Sequence, residues 1–465
     1  MPERHDAEGY WLAEAGDLPA DPPLEGTVDA DVLIVGGGYT GLWTAWHLRR
    51  LDPSARIVLL EAGRCGHGPS GRNGGFVNGL WFSLPALRQR FGAGRAIAVA
   101  RAAQASVDAI GEFCRDQGID AWYRRAGYMQ TSTAPAWDEA WEQVVQACAE
   151  LGEPDACEPL TAEQVRERCD SPLFREGILY PGGATVQPAR LAAGLAAAVR
   201  ASGVEIFEQS RVLGMARRGK EVMADTNGGR VHAGAAVLAC GAALVGMRRL
   251  RHRLTLTSSH IVITEPVPDV LAEINWTGGE CITDSRAMIH YFRTTPDGRI
   301  AFGWGGGRVV YGSRTGGRAE VAPEVIAEVE RHLRRFFPGL AGRRIEHAWG
   351  GPIDISPSHL PVVTEVESGV WAAFGYTGHG VGPSQMVGRS LASLVTGRDD
   401  DHSRLAIVGS PAIRVPPEPL RFLGGSMIRR AILTKETHQE EGRTAGPVTR
   451  AVAAIPEKLG IHVSR

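Results

Sequence analysis

Residues 31–41 read Asp-Val-Leu-Ile-Val-Gly-Gly-Gly-Tyr-Thr-Gly, and a carboxylate, Glu61, follows Gly41 by twenty residues. These residue types in this order suit the binding of a dinucleotide. An unbroken apolar run reads as a buried parallel strand, and Gly36, Gly38 and Gly41 let the backbone turn tightly and approach a pyrophosphate. Tyr39 and Thr40 lie within this turn, and the next helix brings free N–H groups and a positive dipole end to the phosphates. Glu61, followed by Ala62, closes a second apolar strand at 56–60, where its carboxylate can accept hydrogen bonds from ribose hydroxyls. An acidic side chain there argues against a 2′-phosphate, which leaves FAD or NAD rather than NADP.

Three further segments have the same character. Residues 69–75 read Pro-Ser-Gly-Arg-Asn-Gly-Gly, by themselves a glycine-rich turn. Residues 235–242 form a second buried run that ends in small residues, including Ala239 and Gly241, which permit close backbone approach. An apolar strand at 370–374 runs into a glycine turn at 375–384, containing Gly378, His379, Gly380 and Val381, and a helix follows to 396. That second helix N-terminus suits an anionic ring oxygen as well as a phosphate.

The elements around these motifs set an α/β expectation. A helix over 42–51 follows the first glycine turn. Residues 84–170 read mainly helical, with an alanine-rich stretch at 96–117. A helix over 189–202 precedes a strand at 204–207 and strands near Val212 and Val222. Residues 254–307 alternate like an antiparallel sheet, with strands at 260–264, 288–293 and 299–303 and a turn at 295–298. Gly305-Gly306-Gly307 lacks a following amphipathic helix and reads as loop. A helix over 325–337 is stopped by Pro338-Gly339. Beyond Gly397 come a charged linker, a proline-rich stretch and a polar tail with modest helical patches, expected to pack against the body.

With 465 residues the chain suits two interleaved domains, and 43% hydrophobic and 22% charged residues are ordinary for a soluble enzyme. A formal net charge of −2 gives no electrostatic reason to expect nucleic acid. The basic clusters at 248–253 and 331–335 are short and read as solvated surface. Seven cysteines, odd in number and without a Cys-x-x-Cys pair, argue against structural zinc and a disulfide framework and fit a reducing cytoplasm. No metal site is expected. The first six residues carry no signal-peptide pattern. The longest apolar stretch, 235–247, is glycine-interrupted and short of the roughly twenty residues a membrane span needs.

Taken together, residues 36–41, Glu61-Ala62, 69–75, 237–242 and 375–384 resemble the FAD-dependent D-amino-acid oxidase / sarcosine oxidase superfamily over about 28–397. Four separated motifs recur in its order, which an NAD enzyme would not show. Within it, Tyr10-Trp11, residues 38–42, the 69–75 loop and Trp349-Gly350-Gly351-Pro352-Ile353-Asp354 are most similar to gamma-glutamylputrescine oxidase-like amine oxidoreductases. The resemblance implies a Rossmann-like FAD domain of glutathione-reductase type, from 28–83, 177–247 and 346–397. It is interleaved with a substrate domain made of a helical insertion, 84–176, and an antiparallel sheet, 248–345. Residues 398–465 are a C-terminal extension.

Carried over residue by residue, Ser70, Arg72, Asn73, Gly74 and Gly75 become FAD contacts beside Gly36–Gly41, Glu61, Ala62, Val212, Ala239, Gly241 and Gly378–Val381. Relatives that oxidise free amino acids hold the substrate carboxylate with an arginine where this chain has Ile353, which cannot make a bidentate pair. Asp354 beside it is a candidate either to attract a substrate ammonium or to cap a turn. The flavin-tethering cysteine of sarcosine oxidases is absent from this segment, so non-covalent FAD is implied. Ala301 stands where a lysine assists reaction with oxygen, which leaves the acceptor open between O2 and a quinone or carrier protein.

The implied reaction is hydride transfer from the carbon of a small amine to flavin N5, followed by imine hydrolysis. Alternatives are an amino-acid dehydrogenase and a flavoprotein without turnover, acting as partner subunit or redox sensor. On the strand near 290, alternation puts His290 and Phe292 on one face and Tyr291 and Arg293 on the other. All four are pocket candidates but only one pair can face the flavin. Tyr291 and Arg293 are favoured, because a buried guanidinium requires a partner and a substrate anion would be one.

Overall fold

The run at 32–35 shows no alternation because both faces of its strand are covered, the condition of a parallel strand between helical and sheet layers. In chain order the elements that position the site are β1 (Gly26–Val35), α1 (Tyr39–Leu51), β2 (Ile57–Leu60) and β3 (Gly229–Leu238). Then follow β4 (Thr255–Thr264), β5 (Cys281–Asp284), β6 (His290–Thr294), β7 (Ile300–Trp304), α2 (Pro323–Phe336), β8 (Ile345–Ile355) and β9 (Val370–Phe374). The chain ends with α3 (Val381–Val395), α4 (Leu420–Glu440) and two short helices. The computed structural model describes residues 4–5, 8–16, 19–313, 315–411, 413–459 and 461. Residues 1–3 and 6, on which the reading of the N-terminus partly rests, lie outside these.

An eight-stranded sheet has β2, β1 and β3 parallel at its centre, with β9 parallel to the last residues of β3. A strand at Glu205–Phe207 extends it beyond β2, and an antiparallel meander, Gly214–Arg218 and Glu221–Asp225, joins β3 on the other side. Val32 and Ile34 pack on one face against Leu42, Trp43 and Leu48 of α1 and Met386, Val387 and Leu391 of α3. Leu33, Val35, Val58 and Leu60 pack on the other against Val222, Ala224 and Leu256.

A nine-stranded mixed sheet forms the second half, with β8, β4, β7, β6 and β5 in that spatial order. The amphipathic helix α2 covers one face. Its Val325, Ile326, Val329, Leu333 and Phe336, spaced for one helical stripe, bury against Val262, Phe292 and Phe302. The opposite face, through Ile261, Ile263, Ala301 and Trp349, meets Tyr10 and Trp11 of an N-terminal helix. The molecule therefore has the expected α/β class, with the two sheets built from segments that alternate along the chain.

Three segments differ from the sequence reading. Residues 84–170 contain the long helix Ala93–Asp116, but also strands Tyr128–Thr131 and Glu158–Leu160 of the nine-stranded sheet. Residues 346–355, read with the nucleotide half, belong to β8, which pairs antiparallel with β4 along nearly its whole length. The polar tail holds α4, a 21-residue helix. Among the described residues no helix is long and apolar enough to cross a membrane.

Candidate functional site

The carboxyl ends of β1, β3 and β9 deliver their chains to one place, where a doubly wound sheet binds its ligand. Gly36 has φ 110° and its carbonyl lies so close to Gly41 that a Cβ there would be 1.9 Å away. A Cβ on Gly36 would be 2.6 Å from the Ala239 carbonyl oxygen, and one on Gly37 would be 2.5 Å from Cys65 Sγ. Only glycine fits these positions, whereas a Cβ on Gly38 would meet only Ser70, at 2.9 Å from its Oγ. The turn thus presents its backbone, at Gly38 and the start of α1, outward. Glu61 is fixed beside it, Oε2 accepting from Gly37 N at 2.7 Å and Oε1 from Gly63 N at 2.8 Å. Ala62 follows it half-buried, and Val212 packs partly buried on the far face of the sheet. Gly241 has φ 49° with open space where a Cβ would be.

Ser70 Oγ accepts from Tyr39 N at 2.9 Å, so the 69–75 loop sits over the N-terminus of α1. Asn73 shapes that loop, donating to the Ser70 carbonyl at 2.8 Å and accepting from Gly75 N at 2.7 Å. The Arg72 guanidinium turns to Glu320 at 3.1 Å, while its carbonyl accepts from Trp349 Nε1 at 2.8 Å. The N-terminus of α3 arrives at the same place. Thr40 Oγ1 and Tyr376 Oη lie 2.7 Å apart, and a Cβ on Gly382 would be 2.3 Å from the Asn78 carbonyl oxygen. Gly378 has φ 85°, His379 N donates to the Tyr376 carbonyl at 2.9 Å, and Gly380 and Val381 begin the helix. Two helix N-termini that donate, a carboxylate that accepts and close-packed glycines fit an FAD, whose diphosphate α1 would hold, whose ribose Glu61 would hold and whose ring oxygen α3 would face.

The substrate-side candidates separate by face. The Tyr291 ring lies against Gly74, where a Cβ would be 3.2 Å from it, and its hydroxyl is 2.7 Å from Ser259 Oγ. Arg293 is 2% exposed and donates to the carbonyls of Val186, Gly75 and Thr294, with Trp11 5.5 Å from its guanidinium carbon. Burial without a carboxylate lowers its pKa to about 10. Its hydrogen-bond partners are main-chain oxygens rather than the anion expected for it.

His290 does not reach this face. Its Nδ1 is 2.6 Å from Asp284 Oδ2 and its Nε2 2.8 Å from His332 Nδ1 of α2, so strand alternation puts it behind the sheet. Burial pushes its pKa down against the pull of Asp284. Asp354 caps a turn: its Oδ2 accepts from Gly375 N at 2.6 Å, and burial raises its carboxyl to about 6. Ser259 is a site-forming residue that no motif announced, because a lone serine in a strand has no local signature, whereas Trp349 and Tyr376 lay inside motifs without a role assigned to them.

Fold and cradle define a flavin-binding type of oxidoreductase, and the comparisons agree. Residues 31–394 match the model of the DAO family, described as FAD dependent oxidoreductase, and the chain belongs to that family. It is 29% identical over 430 residues to gamma-glutamylputrescine oxidoreductase of Escherichia coli, covering 90% of this chain and 96% of that one. To a probable oxidoreductase, OrdL, of Rhizobium meliloti it is 28% identical over 436 residues, covering 91% and 94%. Glycine oxidase of Geobacillus kaustophilus shares the fold with a TM-score of 0.66 at 20% identity, covering 83% of this chain and 99% of that one.

Proposed function

We propose that this FAD-dependent oxidoreductase oxidises the C–N bond of a small amine in preference to an α-amino acid, with FAD held non-covalently. The observation that carries the preference is Ile353, which stands where related enzymes place an arginine, while Arg293 spends its Nε and Nη1 on the carbonyls of Thr294, Gly75 and Val186. Arg293 is thereby tied to main chain through two of its three nitrogens. Bound FAD would supply the hydride acceptor for the carbon bearing the nitrogen. The protein's part is to hold the dinucleotide through Gly36–Gly41, Glu61, Ser70 and α3, and to set the substrate against Gly74 with Tyr291 and Ser259. The buried face around Trp11, Ala301 and Trp349 keeps water from the reacting carbon. The imine leaves to take up water, giving carbonyl product and ammonia.

A second reading, a dehydrogenase passing electrons to a quinone or carrier protein, is favoured by Ala301, an apolar buried residue where the resemblance places a lysine that assists reaction with oxygen. Seven free cysteines support a reducing compartment such as the cytoplasm. The test is anaerobic mixing with n-butylamine followed by air. The account expects bleaching of the flavin. Peroxide on reoxidation marks an oxidase, and reoxidation only by an added quinone or dye marks the second reading. A flavin that no amine bleaches would remove the proposal.

A further inference from the structure

The hairpin of β6 and β7 turns at Thr295–Gly298 and is open at the other end, where residues 287–289 enter and residues 305–306 leave. Tyr291 lies one residue inside that open end, opposite Gly303. Its ring fills the space at Gly303, where a Cβ would be 2.1 Å from Tyr291 Cζ. Because side chains alternate, a one-residue slip of β6 would send Tyr291 and Arg293 to the α2 face and bring His290 and Phe292 round to the cradle.

Both arms of the open end are held by α4, which lies beyond the residues matched by the family model. Glu436, 4% exposed, accepts through Oε1 from Ala287 N at 2.7 Å and Met288 N at 3.3 Å. Seven residues earlier, two turns along the same helix, Arg429 donates to the Gly306 carbonyl through Nε at 3.0 Å and through Nη2. Arg286, at the entry to the turn, reaches Asp284 and Glu440, and Glu440 also pairs with Arg335 of α2 at 3.0 Å. Trp304 Nε1 closes the hairpin end by donating to the Met288 carbonyl at 3.1 Å. A buried carboxylate spent on two backbone N–H groups, and a guanidinium spent on one carbonyl, fix main chain rather than merely fill space.

We propose that Glu436 and Arg429 are positioning residues: they hold the two arms of the β6–β7 hairpin in the register that presents Tyr291 and Arg293 to the cradle. This rests on the placement of the substrate beside Tyr291 proposed above. The test compares FAD-loaded wild type with Glu436→Ala, Glu436→Gln and Arg429→Met by amide hydrogen exchange and by anaerobic flavin reduction with n-butylamine. Glu436→Ala should speed exchange of the amides at 287–293 by about tenfold or more, with β1 and α1 unchanged. It should raise the apparent Kd for n-butylamine by about tenfold while the limiting reduction rate stays within about threefold. Glu436→Gln, which keeps the acceptor oxygen, should restore both, and Arg429→Met should move both in the same direction as Glu436→Ala. Folded Glu436→Ala with lowered melting temperature but unchanged Kd and exchange at 287–293 overturns the proposal. If that variant does not fold, Arg429→Met decides by the same two readouts. A wild type that n-butylamine fails to reduce overturns the amine reading instead, and the exchange comparison then judges the positioning role alone.

Discussion

The nucleotide cradle and the substrate face are built on opposite principles. The glycine turn of the cradle is set by its immediate surroundings: a Cβ on Gly41 would meet the Gly36 carbonyl, one on Gly36 the Ala239 carbonyl at the adjoining strand end, and one on Gly37 Cys65 Sγ. The substrate face is assembled from afar, with Tyr291 set by Ser259 and Gly74, Arg293 by Val186, and their strand by Glu436. A local site fails through backbone sterics, and an assembled one through loss of distant packing or register.

The largest effect that would break this contrast lies at Gly38. A valine there should leave the fold intact, since the only neighbour is Ser70, yet abolish FAD retention, because it blocks the outward backbone. Absorbance of the purified protein measures it, and stoichiometric FAD would contradict the assignment. Trp349→Ala strikes the assembled side. The indole is fully buried between the 69–75 loop and Trp11, and its loss should lower stability by about 3–5 kcal/mol in denaturant titration.

Glu436 sharpens the comparison through pH. Burial raises its carboxyl from 4.5 to about 7, so the folded protein favours the protonated form. The stabilisation of that form is complete below pH 4.5 and is lost as pH rises through about 7, an effect of about 3 kcal/mol at most. Glu436→Gln should therefore match wild type at low pH and exceed it above pH 7 in thermal unfolding. A difference independent of pH would show that the carboxyl does not titrate in this range. Smallest is Tyr291→Phe, which removes the hydroxyl paired with Ser259 and should cost about 1 kcal/mol in stability.

Legibility follows the same division. β9 spans the residues read as a strand, and α1 begins three residues earlier than read, at Tyr39, because the glycine turn itself starts the helix. Tyr128–Thr131 escaped notice because it is four residues long and buried throughout, so it carries no alternation. β8 contains Gly350, Gly351 and Pro352, residue types disfavoured inside a strand. It pairs as a strand because Gly350 makes room for the His260 ring, which a Cβ would approach to 2.5 Å. Alternation separated His290 from Tyr291, yet nothing near position 290 revealed that carboxylates 146 and 150 residues later would hold the turn before it.

The central claim is that the substrate face accepts an amine without requiring its carboxylate, and one comparison tests it directly. Wild type and Arg293→Ala are each reduced anaerobically with n-butylamine and with norvaline, its α-carboxylated analogue. The account predicts faster reduction by n-butylamine in wild type. Norvaline ahead by about tenfold or more in wild type, with that advantage lost in Arg293→Ala, would show that Arg293 anchors a carboxylate and would contradict it.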